Sequence, residues 1–233
     1  SGDDYILVSG SWLSKNKYKV DKIQAAYRNN YLVNAKPIFI IYQDTTVSIE
    51  PFEIHINDGI LDGILTFGSY SEGRLKMSNF DANVITQFID NKYLDISGIV
   101  FGEIGFSASN ENPIFDIDIA LKKGFYLGEP YDQMNLAILF KSGVIHIDDI
   151  SMTRDPSMGF QLSGTLPLEN SHKNKSTVSV YTTYKDLSMP MLHKLIPNFY
   201  KIGGRATGML KLFGSLDETK FEFNTMIKGA VFD

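Results

Sequence analysis

The sequence predicts an antiparallel all-β fold with two short helices. Three observations carry this expectation: apolar residues recur with a period of two, polar clusters rich in turn-forming residues separate the alternating runs, and only two segments show helical spacing. Alternation of this kind gives a strand one apolar face and one wet face.

The strands come in order along the chain. Phe52, Ile54 and Ile56 alternate with Glu53 and His55, and Leu61 and Leu65 follow around Asp62-Gly63-Ile64. Phe115, Ile117, Ile119 and Leu121 alternate with Asp116, Asp118 and Ala120. Ile145 and Ile147 flank His146, while Phe160, Leu162, Gly164 and Leu166 alternate with Gln161, Ser163 and Thr165. Leu210 and Leu212 flank Lys211, and Phe221 and Phe223 flank Glu222. Turn chemistry divides these runs at Ser109-Asn110-Glu111-Asn112-Pro113, Lys141-Ser142-Gly143, Arg154-Asp155-Pro156 and residues 169–174.

Two segments depart from alternation. Val84, Ile85, Phe88 and Ile89 stand at helical spacing behind Asp81, a residue suited to cap a helix N-terminus. Residues 188–196 do the same, with Ser188 as cap and Pro190 tolerated in the first turn. Each predicts about two turns of helix.

These helices expose a repeat. Each precedes a glycine-punctuated strand and then an apolar-alternating one: Ile96 to Phe106 answers to Ile202 to Leu212, and Phe115-Asp116-Ile117-Asp118 to Phe221-Glu222-Phe223-Asn224. A second echo links Val47 to Ile54, followed by Leu61 to Leu65, with Ile145 to Met152, followed by Leu162 to Leu166. One continuous degenerate β array over residues 1–233 is expected, with units near 1–78, 79–185 and an incomplete 186–233. The chain opens Ser1-Gly2-Asp3-Asp4 without an initiator methionine and runs in strand-like sequence to its end, so a piece of a longer protein is expected.

Composition narrows the function. Hydrophobic residues are 43% and charged residues 21% of the chain, which excludes intrinsic disorder. A net charge of −5 argues against a protein that grips phosphate backbones, so no nucleic-acid partner is expected. With no cysteine, the chain can form neither disulfides nor thiolate metal sites. His146 and Asp148, at i and i+2, and the row Asp116 and Asp118 are read as a solvated face rather than a metal site or carboxylate dyad. The glycines of residues 203–208 lack the lysine and spacing of a phosphate loop and are read as letting strands bend. No catalytic residue, metal or cofactor is expected.

The succession Leu-x-x-Leu-Ile-Pro, Ile-x-Gly-x-x-x-Gly-x-Leu-x-Leu-x-Gly-Ser-Leu, Phe-x-Phe, here Leu192 through Phe223, resembles the repeat grammar of the TamB family of the AsmA-like superfamily. Leu162-Ser163-Gly164-Thr165-Leu166 after Gly143, Ile145, Ile147 and Ile150 resembles it too, and the likeness is clearest over residues 79–233. That resemblance implies an elongated antiparallel sheet curled into an open, taco-like groove with an apolar interior. It implies a periplasmic section of a protein anchored in the inner membrane of a Gram-negative bacterium. The groove would shield phospholipid acyl chains or unfolded outer-membrane protein strands, and the parent would work with a TamA-like outer-membrane β-barrel.

The groove lining expected on this reading is Phe52, Ile54, Leu61, Leu65, Phe115, Ile117, Ile119, Leu121, Ile145, Ile147, Leu162, Leu166, Leu210, Leu212, Phe221 and Phe223. An alternative is a β-sandwich or solenoid segment of a surface adhesin with a sealed core; a carbohydrate-active β-enzyme is a third reading. Self-association of the chain through unpaired edge strands is also expected.

Overall fold

The computed structural model describes residues 4–28, 30–86, 95–109, 112–155, 158–168, 177–190 and 202–232. The strands are β1 (Tyr5–Ser14), β2 (Lys17–Tyr27), β3 (Asn30–Asn34), β4 (Ile38–Gln43), β5 (Thr46–Ile56), β6 (Gly59–Phe67) and β7 (Tyr70–Asp81). Helix α1 (Ala82–Thr86) follows, and then β8 (Ile99–Ser109), β9 (Ile114–Tyr126), β10 (Glu129–Lys141) and β11 (Val144–Arg154). The chain continues with β12 (Met158–Pro167), β13 (Val178–Ser188), β14 (Ile202–Gly214) and β15 (Thr219–Phe232). All fifteen strands belong to one sheet, and each of their pairings is antiparallel.

From β5 onward the sheet is a plain meander in which every strand pairs with its sequence neighbours. Short turns make this possible, as at Ser142-Gly143, where φ values of 53° and 72° twist the hairpin in the sense that matches its strands. The first thirty-six residues, which alternation left unassigned, also enter the sheet.

There β3 and β4 share one place in the ladder. β3 pairs with Gln24 to Tyr27 of β2 and with the end of β5, while β4 pairs with Lys17 to Val20 of β2 and with the start of β5. They amount to one strand interrupted at Ala35-Lys36-Pro37. Buried Asn34 stitches the break: its Oδ1 accepts from the Ile23 N–H at 2.6 Å, and its Nδ2 donates to the carbonyls of Lys36 at 2.8 Å and Asp21 at 3.2 Å.

The helical segment begins where its cap predicts. Asp81 Oδ1 accepts from the Asn83 N–H at 2.9 Å, and the Ala82 N–H donates to the Gly98 carbonyl at 2.9 Å. Residues 87–94 lie outside the described residues, so Phe88 and Ile89 do too. The second expected helix starts at Met189 and Pro190 after β13 runs through to Ser188; residues 191–201 and the 169–176 loop lie outside the described residues.

One expected strand starts later than its alternation implied. Ile96 makes only an isolated bridge to Tyr126, and β8 begins at Ile99, just after Gly98 with its φ of 133°.

The repeat seen in sequence recurs as backbone geometry. Bulges interrupt the ladder between Ile49 and Phe52 in β5 and between Ile147 and Ile150 in β11, at matching places in the echo that links Val47–Ile54 with Ile145–Met152. A second pair of bulges lies between Met77 and Phe80 in β7 and between Tyr184 and Leu187 in β13. In these, Asn79 and Asp186 take left-handed φ values of 53° and 51°, a buried Phe80 or Leu187 follows, and a helical turn begins next.

Candidate functional site: the apolar face of the sheet

Residues opposite one another in an antiparallel ladder share a face, as do alternate residues along a strand. The register therefore sorts the side chains without further assumption. One row runs Ile49, Leu65, Gly73, Phe106, Phe115, Phe140, Ile145, Leu166 across β5 to β12. A second runs Phe52, Gly63, Leu75, Ile104, Ile117, Ile138, Ile147, Gly164, Val180, Leu212, Phe221. The third is Ile54, Leu61, Met77, Gly102, Ile119, Leu136, Ile150, Leu162, Thr182, Leu210, Phe223. The fourth is Phe80, Val100, Leu121, Met134, Met152, Phe160, Tyr184, Gly208, Thr225.

All sixteen residues expected to line a groove fall in these four rows, on one face. The rows also bring in residues that alternation had not singled out. Leu136, Ile138 and Phe140 were hidden because their outward neighbours Ala137 and Leu139 are themselves apolar. Leu75 and Met77 carried a readable signal, flanked as they are by Arg74, Lys76 and Ser78.

Burial varies over this face. In the fourth row Val100 is 3% exposed, Leu121 and Met134 5%, and Met152 0%. Ala82 and Val84 of α1, with Leu127 and Tyr131 of the β9–β10 hairpin, join the same buried cluster. At the other end of the strands Phe115 is 44% exposed and Phe67 42%. There Phe67 stacks on Phe106 and Phe115 tilts against Phe140, with centroids 6.3 and 6.1 Å apart.

Glycines shape this face in two ways. A Cβ on Gly63 would run into the Phe52 ring, and one on Gly73 into the Phe106 ring, so each ring lies over a cross-strand glycine. At Gly102, Gly164 and Gly208 the obstacle is backbone instead: a Cβ would strike the carbonyl oxygen of Asp118, Ser179 or Asn224 on the next strand. Gly102 and Gly164 also hold φ values of 142° and 138°.

The opposite face is mixed, with charged and polar pairs among apolar residues such as Ile64 and Leu139. Arg74 Nε pairs with Glu103 at 2.8 Å, and His55 Nε2 lies 2.6 Å from Glu53. Around β11, Asp149 accepts from Ser151 Oγ at 2.8 Å and from Gln161 Nε2 at 3.3 Å. The wet side of β11 holds a bulge beyond His146, where Asp148 is exposed. The β11 bulge makes Asp148 the extra residue, so Ala137, the next outward place beyond Leu139 and its partner His146, is paired by Asp149. Among the described residues no group of three or more His, Asp or Glu side chains is placed to hold a metal ion. Among them, too, no helix is long and apolar enough to cross a membrane.

Tyr131 anchors the buried end. Its hydroxyl donates to the Ser97 carbonyl at 2.5 Å, and burial pushes its pKa up to about 12. Burial raises that of Tyr126 as well.

No protein-family model, curated protein or solved structure matches this chain. Its functional reading rests on its own geometry.

Proposed function

We propose that the sheet curls lengthwise into a groove whose apolar interior shields the acyl chains of phospholipids, in a periplasmic protein of the TamB and AsmA-like kind. The observation that carries this reading is an apolar face continuous over eleven strands, from β5 to β15, with no second sheet among the described residues to cover it. A sheet with one apolar face must bury that face against something. The α1 end does so with protein side chains, whereas the half-exposed aromatic end does not.

The magnitude suits a lipid. Removing an acyl chain from water is worth about 0.8 kcal/mol per methylene, so about 12 kcal/mol for a sixteen-carbon tail. A continuous apolar surface lowers the cost of moving that tail at every step. Head groups stay in solvent at the open side, which requires no specific polar pocket. Unfolded outer-membrane strands, delivered toward a TamA-like β-barrel, share the alternation that such a face accepts. Lipid is the client chosen because an acyl chain needs only the apolar rows, with no polar group to receive it.

A photoreactive residue placed at Ile117 or Leu210 tests the proposal, with Asp116 and Lys211 as outward controls. After incubation with phosphatidylethanolamine–phosphatidylglycerol vesicles and irradiation, mass spectrometry is expected to find lipid adducts at Ile117 and Leu210 alone. Equal labelling at all four positions, or none at any, overturns it in favour of the sealed structural segment.

A further inference from the structure

The mixed face carries a hollow of about 450 Å³ over β6, β7, β8 and β9, strands in the interior of the sheet. The register explains it. Ile64, Arg74, Gly105 and Asp116 stand in one outward row, and Glu72, Ser107 and Ile114 follow in the next. Along β8 the outward side chain is therefore absent at Gly105 and short at Ser107. The flanking strands β7 and β9 stand about 10 Å apart, twice the strand spacing, and their longer side chains wall the gap. A Cβ at Gly105 would meet nothing nearer than Asp116 Cβ at 3.8 Å, so no neighbour fills the space above it.

The walls bring charges of both signs. Arg74 Nε pairs with Glu103 at 2.8 Å, and the Arg74 side chain is 69% exposed. A guanidinium has more N–H donors than one carboxylate accepts, so Arg74 can take a second anion. Glu72 and Asp116 have no ion-pair partner among the described residues. Carboxylates thus outnumber the guanidinium, which favours a ligand of net positive charge. Ile64, 47% exposed in the middle of this charged patch, and Ile114 add an apolar strip suited to an aliphatic stem.

We infer that the hollow binds a free basic α-amino acid of the lysine kind. Its α-carboxylate meets Arg74, whose planar fork matches a carboxylate. Its two ammonium groups meet Asp116 and Glu72. The methylene stem between them lies over the bare backbone of Gly105 and against Ile64 and Ile114. With two cations and one anion, such a ligand mirrors the guanidinium and two carboxylates that line the hollow. A plain diamine would set a cation against Arg74, and an apolar amino acid would leave one carboxylate unmatched. The site lies on the face opposite the proposed groove and does not depend on what the groove holds.

Methyl NMR of the full chain titrated with L-lysine tests the inference. Saturable shifts are expected at the Ile64 and Ile114 methyls and not at Ile104 or Ile117, which point to the other face. Norleucine, without the second ammonium, and cadaverine, without the carboxylate, are expected to bind about tenfold more weakly or worse, the effect of one lost charge-assisted contact. Asp116→Asn and Gly105→Leu, the second of which fills the hollow, are each expected to weaken lysine to a similar extent with an unchanged circular dichroism spectrum. No saturable shift at millimolar lysine overturns the inference. So does cadaverine binding as tightly as lysine, which would make the hollow a simple cation site, or undiminished lysine binding by both variants.

Discussion

At Gly102 the Asp118 carbonyl of the neighbouring strand occupies the space a side chain would need, and φ is 142°. Gly102→Ala is therefore expected to destabilise the fold by about 1–3 kcal/mol from backbone strain alone, with the collision adding to it. Gly105→Ala is the matched control, since its nearest neighbour would be Asp116 Cβ at 3.8 Å and its φ is ordinary. It is expected to be neutral or stabilising by about 0.4–1 kcal/mol through the unfolded chain. Urea melts of the two variants check both. Tyr131 adds a pH signature. Its pKa is raised from 10.0 to about 12, so the folded state favours the neutral phenol. The stabilisation is full below pH 10 and is lost as pH rises through 12. Tyr131→Phe is expected to lose the Ser97 hydrogen bond and to show a smaller fall in melting temperature than the wild type as pH rises from 10 to 12.

At the scale of the element, a helix as short as α1 cannot stand on propensity and is held by its cap and its buried residues. Ala82 and Val84 are 2% and 6% exposed, and Asp81 supplies the cap. Asp81→Ala is expected to cost about 1 kcal/mol and to raise amide exchange at Ala82 and Asn83 above that of the β9–β10 ladder. Equal exchange in all three would show that the helix is held by packing alone. The bulges belong to this scale as well. Each adds one residue to a strand, and the side chains beyond it return to the inward face only because that residue is skipped. Without the β11 bulge, Ile150 and Met152 would point to the wet side.

For the whole molecule, a single sheet of this breadth leaves a face too large to remain in water, and its two ends are treated differently. The α1 end is packed by protein, and the aromatic end is left half exposed. This asymmetry predicts where a ligand acts first. Lipid binding is expected to protect Phe115 and Phe140 from the solvent before it changes anything near Met152, measurable as chemical-shift changes of the ring protons in NMR. Perturbation confined to the Met152 end would contradict the proposed groove.

Much of this architecture was legible in the chain because period-two alternation is local. Phe115 through Leu121 declare their face in seven residues, and Asp81 declares the helix behind it. Shifting patterns were harder to read. The strand formed by β3 and β4 escaped because a break at Pro37 divides it, and Leu136 to Phe140 because apolar residues occupy both faces. The sequence by itself determined that the chain is all-β, where most strands turn, and which side chains share a face. Only the tertiary structure decided that the strands join one sheet, that Asp148 is skipped and Asp149 takes its place, and which end of the face is buried. Face is set by neighbours two residues apart, whereas register, bulges and burial depend on strands that meet only when the sheet is assembled.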